Sequence, residues 1–79
     1  MEDIMFKKLT IEYCVEWNYY PQAASLAKAI EDEFEISPQL IKSDGGVFEV
    51  EADDTLIFSK KKEFRFPSNE EILTTLKNL

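Results

Sequence analysis

The sequence predicts a two-layer α/β sandwich in the order β-α-β-β-β-α. Its sheet is mixed and four-stranded, of order 2-1-3-4, with both helices on one face. Three observations predict it. An alternating stretch that ends at Cys14 runs directly into a helical pattern of apolar residues. Further short extended stretches are punctuated by Asp44-Gly45-Gly46 and Asp53-Asp54. A capping box, Ser68-Asn69-Glu70-Glu71, opens a last amphipathic segment. The strands carry polar residues on one face, so the helices are expected to share the other.

Met5 to Cys14 alternates in part, with Leu9, Ile11 and Tyr13 on one side and Thr10, Glu12 and Cys14 on the other. Period two with β-favouring residues predicts a strand with one buried face. Asn18 is the expected N-cap of the next element, and Pro21 fits its first turn, where a missing N–H costs nothing. Ala23, Leu26, Ala27, Ile30 and Phe34 recur at helical spacing, and the helix is expected to end near Phe34, before Ser37-Pro38.

Gln39 to Lys42 is a short extended stretch. Val47 to Ala52 alternates, and Thr55 to Ser59 pairs with it as a hairpin. Lys60 to Pro67 reads as a loop. In the last helix Ile72, Leu73, Leu76 and Leu79 form the expected buried stripe.

This topology gathers distant residues. The first strand is expected to lie centrally, parallel to the second and antiparallel to the third. Cys14, the Gly45-Gly46 turn and the Lys60-Lys61-Lys62 run then meet on one rim.

Seventy-nine residues read as one domain, 1–79, with a thin core. Nine basic and sixteen acidic side chains give a formal net charge of −7. That balance argues against nucleic acid and anionic membrane as partners, since attraction to phosphate is largely electrostatic. With no histidine and one cysteine, neither an internal disulfide nor a zinc site is expected. No apolar run approaches the roughly 20 residues of a membrane span. Met1-Glu2-Asp3 lacks the basic-then-apolar order of a secretory signal, so a cytoplasmic location is expected, where a lone thiol stays reduced.

Cys14 is the candidate reactive thiol. The following helix places partial positive charge nearby, which favours a thiolate, while Glu16 opposes it. The competing reading is a small packed residue at a strand end. Trp17 is either an exposed partner anchor or a cover over Cys14. Gly45 and Gly46 allow close approach of a substrate backbone, although a tight turn alone accounts for them. Lys60, Lys61 and Lys62 either attract an acidic group or form a solvated loop that discourages edge pairing. The paired acids Glu31-Asp32-Glu33 and Asp53-Asp54 read as solvated surface.

Ile11-Glu12-Tyr13-Cys14-Val15-Glu16-Trp17-Asn18-Tyr19 with its following Ala-rich helix resembles the selenoprotein W-like (SelT/SelW/SelH, or Rdx) family. Gly45-Gly46-Val47-Phe48-Glu49-Val50, Leu56 to Lys62 and Arg65-Phe66-Pro67 extend the resemblance across essentially the whole chain. It implies a thioredoxin-like fold and a Cys-x-x-Cys or Cys-x-x-selenocysteine redox motif. Cys14 matches the motif's first position, and Trp17 stands where the second cysteine or selenocysteine would be. The resemblance therefore implies monothiol redox chemistry at Cys14, with glutathione as a candidate co-substrate or a protein thiol as partner. No further cofactor is expected. A non-enzymatic binding module on a degenerate redox scaffold is the alternative, and the oligomeric state is not legible.

Overall fold

The computed structural model describes residues 6–79. Its elements are β1 (Leu9–Cys14), α1 (Tyr20–Phe34), β2 (Gln39–Ser43), β3 (Phe48–Ala52), β4 (Thr55–Ser59), α2 (Lys60–Glu63) and α3 (Asn69–Lys77). The sheet order is β2-β1-β3-β4, as the sequence predicts, with β1 parallel to β2 and antiparallel to β3.

One apolar row explains the layering. Leu9, Ile11 and Tyr13 of β1 face the same core as Phe48, Val50 and Ala52 of β3. Helix α1 covers that face with Ala23, Leu26, Ala27, Ile30 and Phe34, and α3 adds Ile72 and Leu76. Each fully buried large apolar side chain contributes about 1.5–3 kcal/mol, so this row decides which face the helices take. On the other face Glu12 stands directly opposite Glu49. Like charges so placed repel, and the Glu49 carboxylate turns instead to accept a hydrogen bond from the Ser59 hydroxyl.

Four details differ from the sequence expectation. The first strand begins at Leu9. The expected start at Met5 lies outside the described residues. Lys7 and Lys8 precede the strand because both backbone N–H groups donate to Asp53 Oδ1, at 3.1 Å each. Asp53 is therefore a capping acid rather than solvated surface alone. Second, Asn18 is not the cap of α1. Tyr19 takes that position without a side-chain bond, and Asn18 adopts a left-handed φ of 58°, which asparagine tolerates better than most residues.

Third, Lys60–Glu63 closes one helical turn rather than a plain loop, with Phe64 N–H donating to the Lys60 carbonyl at 2.7 Å. Fourth, α3 stops at Lys77, leaving Leu79 exposed beyond it. The β3–β4 pairing also slips at Val50/Glu51, so Ile57 and Phe58 both pack toward the core while Leu56 is exposed.

The capping box is formed. Ser68 Oγ accepts from Glu71 N at 3.1 Å, and Ser68 N donates back to Glu71 Oε1 at 2.7 Å. Arg65 holds the same carboxylate through a forked pair at 2.6 and 2.9 Å. The Arg65 guanidinium, followed by the Ser68 backbone N–H, pulls the Glu71 carboxyl down from its ordinary 4.5 to about 2. A lowered folded-state pKa adds stability that is present above about 4.5 and lost as pH falls toward 2. Glu71→Gln is expected to flatten that part of the curve, so that wild type and variant converge near the acid end. Denaturant melts taken across the window check this. Parallel curves would show that the pair carries no linkage.

Candidate functional site

The site is built at the end of β1. Cys14 N–H donates to the Val47 carbonyl at 2.9 Å, and Val15 N–H donates to the Ser43 carbonyl at 3.0 Å. These bonds tie the strand end to the segments on both sides of the glycine turn. The chain then reverses. Asn18 N–H reaches the Val15 carbonyl and Tyr19 N–H the Cys14 carbonyl, each at 3.0 Å. Inside this loop Trp17 N–H points at Cys14 Sγ, 3.4 Å away.

Cys14 is 0% exposed. It lies off the helix-covered row, yet the closed loop and the strand end enclose it. Trp17 goes the other way. Its ring is 62% exposed and rests on Gly46, where a Cβ would lie 2.5 Å from Cζ3 and 2.9 Å from Cε3. No real side chain fits that space. Gly46 also holds a φ of 75° and Gly45 one of 70°, so the turn needs glycine at both positions.

Lys60 leaves the end of β4 beside this loop. Its ammonium lies 5.4 Å from the ring centres of both Tyr19 and Phe66, close enough for cation–π attraction. Those two rings meet edge to face at 4.7 Å, Phe66 meets the core ring of Phe48 at 5.3 Å, and Tyr19 meets Trp17 at 6.1 Å. An aromatic column thus runs from the rim into the core.

Trp17, Gly45, Gly46, Lys60, Lys61 and Phe64 line an open depression of about 320 Å³. Five of these residues are legible as site candidates in the sequence. Of the other two candidates, Cys14 is buried and Lys62 is exposed outside the lining. Phe64 was missed. It is 86% exposed and holds a left-handed φ of 60°. Its signal in the sequence is faint: one large apolar residue between Glu63 and Arg65. A second depression, of about 220 Å³, lies between α1 and α3 near Ser25 and Asn69 and has no titratable side chain in its lining. Among the described residues no cluster of acids and cysteine suits a metal ion. No helix of the described residues is long and apolar enough to cross a membrane.

A two-layer sandwich whose first strand delivers a cysteine to a strand–loop–helix junction is a thioredoxin-like protein, here with tryptophan three residues after the thiol. The Rdx family model matches residues 8–78, and the chain belongs to that family. A selenoprotein W-related protein from Vibrio cholerae superposes with a TM-score of 0.85 at 23% identity, covering 90% of this chain and 92% of that one. A protein from Bordetella parapertussis superposes at 0.86 with 19% identity, covering 90% and 94%. No curated protein matches the chain.

The Trp17–Gly46 contact gives a sharp test. Gly46→Ala places a methyl inside the indole and forces a left-handed φ on alanine, which costs roughly 1–2 kcal/mol before any clash. The variant is expected to lose at least that much stability and to shift Trp17 emission to the red. Unchanged emission and stability would show that the ring does not rest on the turn.

Proposed function

We propose that this Rdx-family chain is a binding protein on a redox fold, with the rim depression as its binding surface. One contrast carries the reading: Cys14 is 0% exposed, whereas Trp17 and Phe64, at 62% and 86%, project into the open beside it. Thiol–disulfide exchange needs a thiolate that can reach a disulfide sulfur, and in a dithiol motif a second thiol to release the product. Trp17 supplies no second thiol, and the sulfur of Cys14 has no open approach. Exposed tryptophan beside an apolar depression is the usual composition of a binding hot spot.

The Trp17 N–H aimed at Cys14 Sγ favours a second reading. In it, opening of the loop lets the Cys14 thiolate attack glutathione disulfide. A mixed disulfide forms and one glutathione thiolate leaves; a protein thiolate then attacks the glutathione sulfur, Cys14 thiolate leaves, and the protein thiol is left glutathionylated. A protein disulfide would serve in the same way.

Alkylation separates the two. Native Cys14 is expected to react with iodoacetamide at least roughly tenfold more slowly than the same chain in denaturant, because buried cysteines are inert. A native rate equal to or above that of a model thiol would overturn the binding reading in favour of monothiol chemistry.

A further inference from the structure

We propose that the rim depression takes an acidic peptide segment bearing an aromatic side chain. This rests on the binding reading of the same depression and names the class of partner. Three independent features point to it.

The first is the pair of rings. Trp17 and Phe64 belong to different segments, yet both line one depression and both remain largely exposed. The depression is open to solvent. A small ligand normally buries 70–90% of its surface in its pocket, so a shallow apolar rim suits one side chain carried by a longer chain.

The second is charge. Lys28, Arg65 and Lys77 each pair with a carboxylate. Lys7, Lys8, Lys42, Lys61 and Lys62 have no ion-pair partner among the described residues, and Lys60 is held only by rings; only Lys60, Lys61 and Lys62 are three in a row, and the first two line the depression. Glu16 and Asp44, each next in sequence to a lining residue, do not line the depression. The chain as a whole carries −7. An acidic segment is repelled by most of this surface and drawn to the lysine rim, so its charge sets both position and orientation. A basic segment would find acidic surface almost everywhere and have no reason to settle here.

The third is strain. A bulky residue with positive φ is uncommon, and Phe64 buries almost none of its ring in return. Glu35 ends α1 in the same left-handed conformation, so what sets Phe64 apart is the exposed ring it carries there. Contact with a partner's ring gives it a use.

Trp17 is the only tryptophan, so its emission reports occupancy of the depression. Three acetylated, amidated pentapeptides are titrated: Glu-Glu-Phe-Glu-Glu, Gln-Gln-Phe-Gln-Gln and Glu-Glu-Ala-Glu-Glu. Only the first is expected to shift the emission saturably, with affinity that falls as salt rises. Lys61→Glu and Phe64→Gly are each expected to weaken it about tenfold or more, as loss of a hot-spot contact does. Phe64→Gly suits the left-handed backbone, so its melting temperature is expected to hold or rise, which separates lost binding from lost folding.

Equal binding of the glutamine peptide overturns the acidic class and leaves a binding rim. Equal binding of the alanine peptide overturns the aromatic contact and leaves an anion site. No shift with any peptide overturns the assignment, and Cys14 alkylation then judges the binding reading separately.

Discussion

The structure depends on the burial of one side of β1. Leu9, Ile11 and Tyr13 sit under α1, while β2 and β3 pair on either side. A slip of one residue would turn that row to solvent. In a domain whose total stability is about 5–15 kcal/mol, such a slip would forfeit much of it. The register is therefore pinned, and the pinned register aligns Cys14 with Ser43 on one side and sets it hydrogen-bonding to Val47 on the other. The rim exists because β1 cannot move.

From that fixed end the short loop sends its groups in opposite directions. The buried sulfur of Cys14 accepts a hydrogen bond from Trp17 N–H, while the exposed indole rests on Gly46. One residue thus does two things: its backbone engages the thiol and its ring builds the outer surface. A cysteine at the Trp17 position would supply a second thiol but would leave Gly46 without its indole. A second thiol and the indole that rests on Gly46 therefore compete for the same place in the chain.

Much of this was legible because local and long-range signals agree. Period-two and period-3.6 patterns, together with the glycine turn, predict the strands and α1; the polar face puts the helices on one side, and a central first strand, parallel to the second and antiparallel to the third, gives the sheet order. The sequence also brings Trp17, Gly45, Gly46, Lys60 and Lys61 to one rim. What it hides follows from competing local bonds. Asn18 reads as a cap because asparagine serves both caps and left-handed turns, and here the tight loop takes it. Lys60–Glu63 carries no apolar periodicity, so its single helical turn and the Phe64 that ends it leave no pattern to detect. The burial of Cys14 is likewise invisible to alternation, since it comes from a loop closing over the strand end rather than from the core row.

The rim also differs in kind from the rest of the surface. Several cations are matched: Lys28 meets Asp32, Lys77 meets Glu33, and Arg65 grips Glu71 within a completed capping box, whereas Lys7, Lys8 and Lys42 have no ion pair among the described residues. What the rim adds is clustering. Three consecutive lysines stand together, and a phenylalanine occupies a backbone conformation that glycine would accept more easily. None of this adds to the core, and adjacent like charges subtract from it. Two exposed rings beside consecutive lysines, over a well-packed core, are the features on which the proposed contact with another molecule rests. The buried Cys14 sulfur accepts from the Trp17 N–H, so the loop that presents the indole at the rim is tied to the end of β1.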